Sequence, residues 1–224
     1  CEVCLGEKIP WPAILHGCWR NSRLQTLIVA MIIFINRILK TWSKKVDCYI
    51  ALTEFSQEKF ANIIPADKLS VKPNFCDNNI IQTCLDTAMQ NQNAYALFMG
   101  RLVPEKGVIG LLRVFQKMSS VPLRIIGDGP LYELVASSIL NTPAQNIQIR
   151  RWIDHSEALI QVRGASFLLF PSEWYEGFPL TIAEAFACGV PVIASHLGAM
   201  AEIIEDGKTG LLFKPGDIEE IGAK

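Results

Sequence analysis

The sequence predicts an α/β fold built on a doubly wound parallel sheet. Three observations carry this. From residue 47 onward, short apolar runs alternate with longer amphipathic segments. Glycine or proline punctuates most of the junctions between them. Half of the residues are hydrophobic, enough for a sizeable core. A strict strand–helix alternation puts helices on both faces of a parallel sheet.

The elements follow in order. "DCYIALT" (47–53) is a buried strand, "EFSQEKFANII" (54–64) a helix with apolar residues at 55, 60, 63 and 64, and "KLSVKPN" a strand ended by Pro73. Residues 77–93 are polar and aperiodic and read as a linker. The pattern then restarts: strand 95–101, helix 107–118, strand 122–129 closing in a glycine turn, helix 131–140, strand 147–152, helix 156–164 and strand 166–172. Helix 179–188, strand 190–195, helix 199–206 and strand 210–213 complete it, and a further helix begins at "DIEEIGAK". The expected organisation is the C-terminal part of a first unit over 1–76, a linker over 77–93 and a complete or nearly complete α/β domain over 94–224. The chain starts at Cys1 without an initiator Met, signal peptide or transit peptide, and reads as a fragment open at both ends.

Charge narrows the function classes. A formal net charge of -1 argues against general electrostatic binding of nucleic acid. Residues 1–72 carry ten Lys/Arg against six Asp/Glu, a balance of +4, and the remainder is acidic. Residues 20–45 hold six Lys/Arg and no acid around the apolar run "LIVAMIIFI". Nine apolar residues are far short of the ~20 that span a bilayer. The stretch reads as a buried helix with solvated ends, or as a basic amphipathic helix lying on an anionic membrane surface.

The seven cysteines are scattered and mostly in apolar contexts, which fits reduced buried thiols in the cytoplasm. Cys1, Cys4, His16 and Cys18 have the residue types of a tetrahedral zinc site, C-x2-C followed by H-x-C. The alternative is a loop with reduced thiols. His155, in "DHSE", reads as a solvated residue at a helix start, and His196 as a loop residue near the end of a strand.

The stretch "PSEWYEGFPLTIAEAFACGVPVIAS" (171–195) carries the chemistry. A strand ends at Pro171, so residues 172–178 form the loop at its carboxyl end. Pro179 suits the first helical position, where a missing N–H costs nothing. Gly189 suits a left-handed C-terminal cap. The amides of Gly177, Phe178 and the first helical turn then form an anion seat. Glu176 and Glu184 flank it. Carboxylates repel phosphate but accept hydrogen bonds from hydroxyls. Hydroxyls on both sides of a diphosphate describe a sugar nucleotide. Arg101 and Lys106, in "GRLVPEKG" just after Gly100, supply cations on the same sheet edge. Taken singly, each is a capping acid or a surface charge. Together they stabilise charge that grows on a departing diphosphate.

"EGFPLTIAE" is an E-x7-E motif. With "PS" before it, "GVPVIAS" after it, "MGRLVPEKG", "IIGDGP" and "EIIEDGKTGLLF", it resembles the retaining glycosyltransferases of family 4, of the GT-B fold. The resemblance runs from about residue 95 to 217. It implies two Rossmann-like domains facing a cleft, of which this is the C-terminal, donor-binding one, with the first domain truncated. It implies a nucleotide-diphospho-sugar donor, with UDP or GDP as the nucleotide, and no cofactor for catalysis. Glu176 would hold donor-sugar hydroxyls and Glu184 the ribose. The amides from Phe178 through Pro179 to Leu180, with Arg101 and Lys106, would hold the diphosphate. Arg151 and Trp152 would border the base. Transfer would retain anomeric configuration without a metal, and no Asp-x-Asp occurs in the chain. The expected acceptor is a saccharide or a lipid-linked one; the basic stretch 20–45 points to a lipid-linked or polyanionic acceptor and to peripheral contact with the inner face of a membrane, in an otherwise cytoplasmic protein. Two other readings remain open. A dinucleotide-binding enzyme should carry Gly-x-Gly-x-x-Gly after its first strand, whereas "GDGPLY" has two of the glycines after a later one. A non-catalytic sugar-nucleotide-binding protein is the other.

Overall fold

Strand β3 (Ala96–Met99) lies at the centre of a six-stranded sheet. In the computed structural model the described residues are all but 1, 5, 6, 8, 78–81, 83–93, 119–120, 142–145 and 224. The expected linker therefore lies mostly outside them. The chain divides into two compact units, Cys1–Pro73 and Asn74–Lys224.

In the second unit β3 is followed by α5 (Val108–Lys117), β4 (Leu123–Ile126), α6 (Tyr132–Leu140), β5 (Ile147–Arg150) and α7 (His155–Arg163). Then come β6 (Phe167–Phe170), α8 (Leu180–Ala187), β7 (Val192–Ser195), α9 (Ala199–Ile203), β8 (Gly210–Phe213) and α10 (Ile218–Ala223). The strand order is β5-β4-β3-β6-β7-β8, with every pairing parallel. Renumbered from β3, this is 3-2-1-4-5-6, the Rossmann order. The chain builds outward from β3 to β5, then returns to place β6 on the other side of β3.

Burial on both faces explains the near-continuous apolar strands. Leu97 and Met99 of β3 face one core layer with Leu168 and Phe170 of β6, covered by Leu159 and Val162 of α7 and Ile182 and Ala185 of α8. Ala96 and Phe98 face the other, with Leu111 and Phe115 of α5 and Val135 of α6. The alternation follows the two-residue strand repeat. Every expected strand of this unit is present; β8 has the expected bounds, and the other five are shorter at one or both ends, with loops leaving the sheet at Gly100, Gly127 and Pro171. The helix expected over 199–206 stops at Ile203, since Ile204 is already extended.

The first unit contains α1 (Trp11–His16), α2 (Arg23–Ile38), α3 (Thr41–Lys45), β1 (Tyr49–Ala51), α4 (Glu54–Phe60) and β2 (Leu69–Val71). β1 and β2 pair in parallel. Thr53 caps α4 by accepting from the Ser56 amide at 3.1 Å, as Ser/Thr N-caps do. Lys68 ties α3 to the unit through the carbonyls of Ser43 and Val46. The helix expected within 20–45 forms, but it is not buried in this unit. Only Thr26 and Ala30 of α2 are buried. Leu24, Leu27, Ile28, Met31, Ile32, Ile35 and Ile38 are exposed along one stripe. A two-stranded sheet and short helices offer too little apolar surface to cover a sixteen-residue helix.

Among the described residues, no group of three His, Cys, Asp or Glu could hold a metal. Cys4, His16 and Cys18 are described and do not converge, and Cys1 lies outside the described residues. Gly17, in a left-handed conformation, closes α1 after His16 and turns the chain away, leaving Cys18 exposed. Cys4, Cys18, Cys48 and Cys76 are free thiols, but Cys188 is disulfide-bonded. The expectation of reduced thiols fails there. An apolar context signals burial, and a disulfide is as apolar as a buried thiol. Among the described residues no helix is long and apolar enough to cross a membrane.

Candidate functional site

β3 and β6 are neighbours whose following loops lead to helices on opposite faces. In such a sheet a crevice opens at the carboxyl ends where the strand order reverses. The loop after β3 is Gly100–Gly107, and the loop after β6 is Pro171–Pro179. Their contents determine what the crevice can do.

The first loop is held from below. Leu102 is fully buried, and its amide donates to the Asp128 carbonyl at 2.8 Å. Gly100 lies against the turn after β4: a Cβ on Gly127 would sit 1.9 Å from the Gly100 oxygen. Gly107 has φ +70, and a Cβ there would meet the Pro171 carbonyl at 2.1 Å. The two loops therefore touch through backbone, and only glycine permits the approach. The Glu173 amide donates to the Glu105 carbonyl at 2.8 Å, adding a second strut.

This contact brings Lys106 to Glu176. The Lys106 Nζ lies 2.6 Å from Glu176 Oε1 and 5.0 Å from the centre of the Phe170 ring. The Ser172 hydroxyl, fully buried, donates to the same Oε1 at 2.8 Å. Glu176 is thus a half-buried carboxylate with a cationic and a neutral donor on one oxygen, its other oxygen left for a further donor. Ser172 is a site residue that the sequence motifs do not single out, although it belongs to the "PS" pair before the E-x7-E motif. The signal was its offset of four residues from Glu176. Arg101 is exposed on the same loop as Lys106.

α8 starts one residue later than expected. Pro179 is its N-cap rather than its first helical residue: the ring fixes φ at -69, but ψ of 109 is still extended. It offers no side-chain acceptor to the turn above it. The amides of Leu180 and Thr181 therefore lack both an intrahelical partner and a cap, as the first amides of a helix do. They open, with the exposed Gly177 and half-buried Phe178, onto the carboxyl edge. The expected left-handed Gly189 is present, with φ +71. Its amide donates to Phe186, and the Val190 amide to Ala185, closing α8 with a Schellman motif.

Glu184 lies one turn into α8 and is mostly buried. Its Oε1 is 2.9 Å from Nε2 of His155, the first residue of α7. His155 is therefore not merely solvated. The order of strands sets the starts of α7 and α8 side by side, which residue spacing does not reveal. Cys76 is near as well: burial first, and then the charge of Glu184, pushes its thiol pKa up.

Arg151 lies at the end of β5 and is already engaged. It contacts both oxygens of Asp128 at 2.9 and 2.8 Å and Glu133 at 2.7 Å, and stacks 3.9 Å over Tyr132. The Arg151 hydrogen bond, followed by the Gly129 amide, holds the Asp128 carboxyl below its ordinary value. Trp152 beside it is exposed. His196 is exposed after β7, and the preceding Ser195 is fully buried with its hydroxyl unpartnered. The structure thus joins Lys106 to Glu176 directly and gathers Gly100, Arg101, the α8 amides, Glu184, Arg151 and Trp152 along one sheet edge.

Comparison with known proteins agrees with this architecture. An uncharacterized glycosyltransferase of Methanocaldococcus jannaschii is 34% identical over 129 residues, covering 56% of this chain and 36% of its own. The O-antigen chain mannosyltransferase B of Escherichia coli is 28% identical over 193 residues, 78% of this chain and 49% of its own. The chain thus spans about a third to about half of the length of these relatives. Among solved structures, the Anabaena protein HepE in complex with UDP-glucose superposes with a TM-score of 0.69 at 22% identity, covering 89% of this chain and 56% of its own. That likeness identifies the fold as GT-B in type. The family model described as glycosyl transferases group 1 matches residues 86–224, well over half of the chain, and the protein belongs to that family.

Proposed function

We propose that this chain is the donor-binding part of a retaining glycosyltransferase that moves a sugar from a UDP- or GDP-sugar to a saccharide or lipid-linked acceptor. The observation that carries the reading is the Lys106–Glu176 pair at the β3/β6 switch point, beside the uncapped start of α8. A pyrophosphate at that helix start meets free amides together with Arg101 and Lys106. Glu176, whose second oxygen is open, accepts from donor-sugar hydroxyls. Glu184 accepts from the ribose, and Trp152 borders the base.

In the transfer, the bond from the sugar anomeric carbon to the diphosphate oxygen breaks. A bond from the acceptor oxygen forms on the same face. The acceptor proton passes to the departing diphosphate. Negative charge grows on the leaving group, and Arg101, Lys106 and the α8 amides are fixed where it grows. Removing one such contact costs about 3 to 4 kcal/mol of barrier. Two basic side chains and a helix start supply the counter-charge that a metal supplies elsewhere, so the reading needs no metal.

Calorimetric titration with UDP-, GDP- and ADP-sugars tests it. One nucleotide class should bind the chain, and Arg101→Ala and Glu176→Ala should each weaken it. Unchanged affinity in both variants overturns the reading.

The stripe of α2, flanked by Arg20, Arg23, Lys40, Lys44 and Lys45, supports a second element: contact with an anionic membrane that carries a lipid-linked acceptor. Sedimentation with vesicles checks this. Binding to phosphatidylglycerol vesicles should exceed binding to phosphatidylcholine vesicles and fall with salt. Equal binding to both removes that element and leaves a stripe that serves packing.

A further inference from the structure

The two motif carboxylates are compensated differently. Glu176 meets a lysine on the neighbouring loop, inside the family pattern. Glu184 meets His155, which lies outside the E-x7-E motif and twenty-nine residues away. The Glu184 side chain is 14% exposed, against 60% for His155. A carboxylate this buried needs a hydrogen-bond donor to remain charged at modest cost. Among the described residues, His155 is the one side chain whose donor reaches it. The contact requires the proton on Nε2, since an ionised carboxylate only accepts.

A glutamate side chain has several rotamers, and fixing them costs conformational entropy. A donor on Oε1 that comes from a second helix pins the carboxylate against that freedom. Asp154 caps α7, its side chain accepting from the Glu157 amide at 2.8 Å, and so fixes the backbone turn from which His155 projects. With Oε1 engaged, Oε2 remains to accept from a ligand. Cys76 lies close as well, its thiol pKa raised by burial and then by the charge of Glu184.

We propose that His155 is a positioning residue for the nucleotide ribose: it holds Glu184 in the orientation that receives the ribose hydroxyls, and so sets the preference for a ribonucleotide donor. This rests on the reading that Glu184 meets the ribose. His155 need not touch the donor.

The test is calorimetric binding of UDP, GDP and ADP, each beside its 2′,3′-dideoxy counterpart, to the chain and to His155→Ala, His155→Gln and Glu184→Ala. The chain should favour the ribose form of the nucleotide it binds. His155→Ala should weaken that form about three- to tenfold, as loss of a partly exposed hydrogen bond to a charged group does, and leave the dideoxy form unchanged. His155→Gln, which keeps a side-chain N–H donor, should restore part of the preference. In Glu184→Ala, adding His155→Ala should change nothing further. If the chain favours the ribose form and His155→Ala favours it equally, the proposal is overturned while Glu184 keeps its role. If the unsubstituted chain shows no preference for the ribose form, the role of Glu184 fails and the proposal with it. If His155→Ala weakens both forms alike, the residue supports the fold and not the ribose contact, and the proposal is overturned.

Discussion

The Lys106 ammonium and the Glu176 carboxylate lie 2.6 Å apart across two loops that leave adjacent strands for opposite faces of the sheet. The pair is partly exposed, so as a salt bridge it contributes about 1 kcal/mol or less to stability. Its position matters more than its strength. On the proposed reading a ligand diphosphate takes Lys106, and the carboxylate is left to the sugar.

Replacing Lys106 with Met should therefore separate stability from binding. Chemical denaturation should change by about 1 kcal/mol or less, while affinity for the nucleoside diphosphate falls at least about tenfold, as expected for a lost charge-assisted contact. A large loss of stability with intact binding would contradict the assignment.

Ser172→Ala removes a buried hydroxyl that donates to Glu176. It should cost about 1 kcal/mol in denaturation. Affinity should fall for the nucleotide-sugar and not for the bare nucleoside diphosphate, because Glu176 is assigned to the sugar. The measurement is a pair of titrations with the two ligands.

Gly107→Ala places a methyl 2.1 Å from the Pro171 carbonyl at a positive φ. The loops must part. Denaturation should show a loss of about 2 kcal/mol or more, together with weaker nucleotide binding because the Lys106 loop moves. Gly216→Ala, also at positive φ but with nothing within 4 Å of its Cβ, should cost less and spare binding.

The Asp128–Arg151 pair gives stability a mild acid limb. Asp128 is held below the ordinary 3.8, chiefly by the Arg151 hydrogen bond. A lowered carboxyl contributes fully above the unfolded value and loses that contribution as pH falls through the folded one. Urea midpoints followed below about pH 4 should therefore decline less steeply in Arg151→Gln than in the unsubstituted chain.

Much of the fold was legible along the chain because a strand's apolar run and a helix's stripe are local periodicities. Each strand of the second unit could be located, and Gly189 named as a left-handed cap, because a helix ends where its own spacing stops. The start of α8 was misplaced by one residue, since Pro179 fixes φ but leaves ψ free. The apolar run of α2 fits both a buried helix and a surface amphipathic helix along the chain, because apolar character marks a preference for cover and does not supply the cover. The expectation of a reduced thiol at Cys188 fails because its apolar surroundings say nothing about what its sulfur is bonded to.

The sequence by itself determined the alternation, the glycines that let loops approach and the acidic and basic residue types on one edge. The tertiary structure decided which of them meet. Lys106 and Glu176 are seventy residues apart, and His155 and Glu184 twenty-nine. They touch because the chain returns from β5 to lay β6 against β3, which brings the loops and helix starts at the carboxyl edge together. Spacing along a chain specifies local geometry, whereas the neighbours of a strand are selected by burial over the whole sheet.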